Sequence, residues 1–170
     1  ILRNEQKKFL KNLSQITDIN TGTLKTIRKL SMQISARNQI SGIVELIEHG
    51  KINAQVFIKL KSGNTLVSVI TNTAANNLNL EIGDDVVAIF KSSTVLITTD
   101  MALNISARNK FYGIVDSINQ DEINTELVID IGNSEKIASI ITSSSAERLK
   151  IEKGSQVSAI IKASDVIIGK

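Results

Sequence analysis

Four consecutive residues occur twice in this chain at a fixed spacing. Ser35-Ala36-Arg37-Asn38 returns 71 positions later as Ser106-Ala107-Arg108-Asn109. The same offset lays residues 34–99 over 105–170 without a gap and makes about 25 of the 66 positions identical, which marks duplication of one supersecondary unit. Units of this size sit close to the lower limit for an independent hydrophobic core, so paired copies, or further partners, are expected.

Each copy reads as β structure. Ile43, Val44, Leu46 and Ile47 suggest a first strand, residues 52–60 a second, and residues 66–70 a third, with Lys61-Ser62-Gly63-Asn64 as a turn. Residues 71–80 are rich in Ala and Asn and suit a short helical turn. Gly83-Asp84-Asp85 then turns into a strand at 86–90, and residues 95–98 make a last short one. Five short strands with a helical turn between the third and fourth predict an OB-like barrel, present twice. The predicted organisation is a helical connector or dimerisation segment at 1–33, a first domain at 34–99 and a second at 104–170.

Residues 1–16 predict a helix with Leu2, Phe9, Leu10, Leu13 and Ile16 on one side and Arg3, Lys7, Lys8 and Lys11 on the other. Thr23 is placed to cap a second short helix with Leu24, Ile27 and Leu30 as its apolar stripe. Residues 1–30 carry seven Lys or Arg against two Asp or Glu, about +5, so the overall charge of +3 leaves about −2 for the rest. An anion held by the body of the protein must therefore be held by local donors. The first residue is Ile1 rather than Met, and the chain is expected to begin inside a longer protein.

Several function classes are disfavoured. With no cysteine there are no disulfides, thiolate metal sites or cysteine nucleophiles, which suits a reducing cytoplasm. The single histidine, His49, lies in the turn Glu48-His49-Gly50 and reads as a solvated residue rather than a metal ligand. Acidic pairs such as Asp84-Asp85 and Asp121-Glu122 fall in turns, and no P-loop, dinucleotide fingerprint or nucleophile elbow is present, so an enzyme is not expected. No apolar run is long enough to span a membrane. Binding of single-stranded nucleic acid would need a basic groove and aromatic platforms, whereas Phe57, Phe90, Phe111 and Tyr112 are the only aromatics after Phe9.

A shared core explains the matched apolar residues, and turns or close backbone approach explain the matched glycines. It does not ask for Ser, Arg, Asn and Lys in both copies. Ser-Ala-Arg-Asn offers a hydroxyl, a small residue, a guanidinium fork and an amide, a set suited to a tetrahedral oxyanion. Lys91 with Ser92 and Ser93, and Lys162 with Ala163 and Ser164, would add a point charge and further donors. Spacing alone leaves open whether Arg37 and Lys91 hold an anion or pair with surface carboxylates.

The run from Leu30 through Ser35-Ala36-Arg37-Asn38-Gln39 to Gly42 resembles the entry to the molybdate-binding region of the ModE family of molybdate-responsive transcription regulators. The two repeats resemble the Mop, or TOBE, domains of that family and of the molbindins, small molybdate-storage proteins. The resemblance covers 34–170 as a di-Mop unit and, more weakly, 1–33 as inter-domain helices. It implies a fold of two tandem OB-like five-stranded barrels preceded by short α-helices, in a cytoplasmic homodimer that holds molybdate or tungstate at subunit interfaces. It also implies contact with DNA only through a winged helix-turn-helix domain upstream of this chain.

Carried over residue by residue, Ser35, Ala36 and Arg37 would come from one subunit, Lys91 and Ser92 from the facing one, and Thr71 would add a hydroxyl. Ala74 stands where relatives can place a serine. The second copy keeps Ser106, Ala107, Arg108, Thr142, Ser145 and Lys162 as a possible second site. No free cation or other cofactor is implied. A molbindin-like storage protein is the main rival reading, favoured by the duplicated motif and disfavoured by the helical connector. The accessory domain of a transport ATPase is a weaker one.

Overall fold

Residues 34–170 are described by the structure, a computed structural model. The two helices expected within residues 1–33 lie outside the described residues. The first repeat forms β1 (Asn38–His49), β2 (Asn53–Leu60), β3 (Thr65–Thr71), a helix α1 (Asn72–Asn77), β4 (Asp85–Phe90) and β5 (Leu96–Thr98). The second forms β6 (Asn109–Gln120), β7 (Asn124–Gly132), β8 (Glu135–Thr142), a helix α2 (Ser143–Arg148), β9 (Gln156–Ile161) and β10 (Ile167–Gly169). A single 3-10 turn, Ser92–Thr94 or Ala163–Asp165, precedes each last strand. The result is the expected mainly β fold of two curled, five-stranded, OB-like sheets.

β1 begins at Asn38, five residues before the first strand expected at Ile43. Its polar start hid it, because Asn38, Gln39 and Ser41 lack the apolar alternation that identifies a strand. This half pairs with β4, from Asn38 opposite Phe90 to Ile43 opposite Asp85, while the second half pairs with β2. Gly42 lies where the two pairings overlap, opposite both Leu60 and Val86. A Cβ there would sit 2.5 Å from Ile58 Cγ2 and 2.7 Å from the Lys59 carbonyl oxygen, and at Gly113 the Asp130 carbonyl oxygen would be 2.5 Å away. The strands can approach this closely only without a side chain. A bulge between Val44 and Leu46, matched between Val115 and Ser117, then bends the long strand from one neighbour to the other.

The last strand of each repeat does not return to its own sheet. The strand orders are β10-β4-β1-β2-β3 and β5-β9-β6-β7-β8. Leu96 pairs with Ile160 and Ile167 with Ile89, so each sheet is closed by the other repeat's final strand. Sequence pattern is silent on this choice, because β4 and β9 offer nearly the same edge, Asp-Val-Val-Ala-Ile-Phe and Gln-Val-Ser-Ala-Ile-Ile.

Four buried polar side chains latch the exchange. Ser68 Oγ donates to the Val166 carbonyl at 2.7 Å, and Ser139 Oγ to the Val95 carbonyl at 2.8 Å. The Asn109 amide accepts from Val67 N–H at 2.7 Å and donates to the Val67 carbonyl at 2.8 Å. Asn38 does the same to Ala138, at 2.7 and 2.8 Å. Each asparagine thus stands in for a neighbouring strand at one residue of an otherwise open β3 or β8 edge. Residues 36–170 form one compact unit whose hydrophobic core draws on both repeats, with Phe90 and Phe111 among its largest buried side chains. Among the described residues no helix is long and apolar enough to cross a membrane.

Candidate functional site

The Ser-Ala-Arg-Asn segments enter β1 and β6, and their four residues divide by environment. Ser35 and Ser106 are exposed, Ala36 and Ala107 half-buried, and Arg37 and Arg108 exposed. Asn38 and Asn109 are only 2% and 1% accessible. The asparagines, read from sequence as part of an anion-binding set, are spent on the other repeat's backbone. Their duplication is accounted for by the fold.

Arg37 and Lys91 stand at one end of the β1–β4 pair. Asn38 is opposite Phe90, so the two cations occupy the next positions outward on their strands. Arg108 and Lys162 flank the matching pair of Asn109 and Ile161. Two cations at adjoining positions repel one another, and an anion between them would relieve that repulsion. Lys91 and Lys162 are exposed and make no ion pair among the described residues. The Lys91 carbonyl accepts from Thr94 N–H at 3.1 Å and Thr94 Oγ1–H at 2.9 Å, which fixes the tight turn after it. Ser92 is buried, and Ala163 takes its place in the second copy.

The threonines cap the short helices. Thr71 Oγ1 accepts from Ala74 N–H at 3.1 Å and Thr142 Oγ1 from Ser145 N–H at 3.3 Å. Thr142 Oγ1 also donates to Ser145 Oγ at 2.8 Å. Within one chain Thr71 lies beyond the far end of β1 from Arg37, where His49 Nδ1 is 3.2 Å from Asn72 Oδ1. Arg37 reaches the second repeat instead. Its Nη2–H donates to Glu126 Oε1 at 2.7 Å. Glu126 is paired with Ile140, and Thr142 is two residues further along β8, about 7 Å at strand rise. The structure therefore places Arg37 against the β7–β8 pair of the second repeat and away from Thr71. Arg108 lies with its guanidinium carbon 6.0 Å from the centroid of Phe57 on β2. Glu126 was not singled out in the sequence, and Phe57 was named there only among the few aromatics, because the contacts depend on how the two repeats interlock.

An open cleft of about 350 Å³ lies beside this region, lined by Gln39, Ile40, Ser41, Lys61 and residues 133–136. It contains none of the predicted site residues. The Glu135 carboxylate accepts from Lys61 N–H at 3.0 Å and Ser62 N–H at 2.8 Å, tying the two hairpin turns together. At its rim Lys136 Nζ is 2.7 Å from Asp116 Oδ2. That contact holds the Asp116 carboxyl below its ordinary range and pushes the Lys136 ammonium up.

Comparison with known proteins places the fold. The TOBE domain family matches residues 34–97 and again 105–168. The molybdenum transport protein ModE of Azotobacter vinelandii is 33% identical over 172 residues, covering 98% of this chain and 64% of that protein. A probable molybdenum-pterin-binding protein of Haemophilus influenzae is 46% identical over 66 residues, which is 39% of this chain but 96% of that protein. The crystal structure of the cytoplasmic molybdate-binding protein ModG, with molybdate bound, superposes with a TM-score of 0.78 at 38% identity, covering 81% of this chain and 99% of ModG. The chain spans between about half and two thirds of the length of the ModE proteins it matches. It belongs to the TOBE-domain family, as a tandem pair homologous to the ModE and Mop molybdate-binding proteins.

Proposed function

We propose that this chain binds molybdate, and tungstate as a close analogue, as the ligand-sensing part of a molybdate-responsive transcription regulator acting in the cytoplasm. The observation that carries the reading is the duplicated Arg and Lys pair, Arg37 with Lys91 and Arg108 with Lys162. Each is exposed at one end of a strand pair in a fold that matches molybdate-bound ModG over nearly its whole length. Arg37 and Lys91, which adjoin within one copy rather than being divided between subunits as the resemblance implied, hold the oxyanion with Ser35, Ala36 and Ser92, and Thr71 of a facing copy supplies a hydroxyl. The separation of Thr71 from Arg37 within one chain supports a site shared between copies, since one chain cannot gather this set alone. The homodimer is further supported by exposed apolar residues at matching positions, Ile43 with Ile114, Ile52 with Ile123 and Leu96 with Ile167.

The work done is a binding linkage rather than catalysis. Ligand that reaches residues of two copies favours the arrangement in which those residues meet, and residues 1–33 carry that bias to DNA-binding domains upstream. A storage protein is the second reading, favoured by the intact second set Ser106, Ala107, Arg108, Thr142, Ser145 and Lys162 and by the likeness to ModG.

Titration calorimetry with molybdate, tungstate and sulfate, combined with mass measurement, tests both. Two molybdate sites per dimer favour the sensor, and more favour storage. Arg37→Ala is expected to lose most binding at the first site, a hundredfold or so if a charge-assisted bidentate contact worth about 3 kcal/mol disappears. Unchanged affinity in that variant would remove Arg37 from the site.

A further inference from the structure

The two motifs are identical in sequence but not in surroundings. Arg37 donates to the Glu126 carboxylate at 2.7 Å. The position equivalent to Glu126 in the first repeat is Gln55, and Arg108 lies over the Phe57 ring two residues along that strand. Arg108 makes no ion pair among the described residues. One guanidinium therefore already carries an internal anion, and the other faces an amide-bearing strand and an aromatic face.

We propose that Glu126 is a built-in competitor for the oxyanion at Arg37. The first motif then takes a tetrahedral dianion more weakly than the second, and the two fill in order, Arg108 first. This rests on the oxyanion reading above with both motifs of a chain occupied, the stoichiometry that the storage reading expects. Two effects act in the same direction. The Arg37–Glu126 contact must be loosened before the guanidinium fork can turn both donors to the ligand, and an exposed pair of this kind is worth a factor of about two to five. The displaced carboxylate then remains near a doubly charged anion, and that repulsion adds to the penalty while being screened by salt. Arg108 meets neither cost. The side chain at 126 or 55, rather than the motif itself, would set the difference between the sites.

The test is calorimetric titration of the full chain with sodium molybdate, using wild type, Glu126→Gln, Gln55→Glu, Arg37→Ala and Arg108→Ala. Wild type is expected to show two classes of site, with Arg37→Ala removing the weaker and Arg108→Ala the tighter. Glu126→Gln should tighten the weaker class about two- to tenfold without changing stoichiometry, and the gain should shrink as salt is raised. Gln55→Glu should weaken the tighter class by a similar factor. Position 55 is a half-exposed strand site, so this variant gives a readout even if Glu126→Gln disturbs folding. A single class in wild type, or a Glu126→Gln variant that binds equally or less well, overturns the proposal. The last result would make Glu126 a residue that holds Arg37 in its binding pose. If Arg37→Ala and Arg108→Ala both titrate like wild type, the oxyanion reading of the motifs fails, and this inference with it.

Discussion

At the scale of single residues, the two asparagines and the two arginines of the repeated motif do opposite kinds of work from adjacent positions. Alternation along a strand sends neighbours to opposite faces, so Arg37 and Arg108 stay at the surface while Asn38 and Asn109 enter the contact between repeats. There each amide satisfies one N–H and one C=O of the other repeat's third strand. Asn109→Ala would leave the Val67 N–H and carbonyl, on a residue only 6% exposed, without those partners. Each abandoned backbone group costs about 1–3 kcal/mol, so a loss of roughly 2–6 kcal/mol is expected in denaturant unfolding. A loss below about 0.5 kcal/mol would mean that water replaces the amide and that the latch is dispensable.

At the scale of elements, the turn that follows the long first strand is closed differently in the two copies. The β1–β2 turn closes with Gly50 N–H donating to the Asn53 carbonyl at 2.8 Å. Its counterpart adds a side chain, as Asp121 Oδ1 accepts from both Ile123 N–H and Asn124 N–H at 2.7 Å. These donors hold the Asp121 carboxyl below its ordinary range. A carboxyl lowered by folding contributes stability at pH above its unfolded value and loses it as pH falls through the folded value. Carboxyl NMR titration should place Asp121 below the ordinary aspartate range, and Asp121→Asn should flatten the acid limb of the stability profile. A normal Asp121 titration would show that the two N–H bonds do not persist in solution. The strand count, the helical turn and the two-copy architecture were legible because apolar alternation and turn residues report directly on burial and chain reversal. The polar start of β1 was not, since a buried Asn and an exposed Gln imitate a loop. Nor could the partner of β5 be read, because two copies with the same edge make the local pattern degenerate. Of the candidate site, the Arg and Lys positions were legible from duplication alone. The Arg37–Glu126 contact was not, since it spans 89 residues and depends on the exchange.

At the scale of the whole molecule, the exchange makes each sheet a joint product of both repeats. The first sheet needs β10 from the C-terminal end, and the second needs β5. Ser68 reaches Val166, Ser139 reaches Val95, and both asparagines reach across as well. A single repeat on its own would expose one unfilled sheet edge and one dangling strand. Two identical single repeats can supply each other with what both lack, and the near-full-length match of one repeat to the Haemophilus influenzae relative shows that a protein of one-repeat length exists in the family. Residues 34–104 produced alone are therefore expected to fold only as an exchanged assembly of two or more copies, with stability that rises with protein concentration. In the intact chain the same topology predicts remote damage: removing residues 167–170 should raise amide exchange most in β4 of the first repeat, which pairs with β10, and less in β9, which pairs with β5. Hydrogen exchange by mass spectrometry reads this directly. Greater exposure in β9 than in β4, or a stable folded monomer from residues 34–104, would show that the last strand can close its own sheet and that the exchange is one of two accessible arrangements.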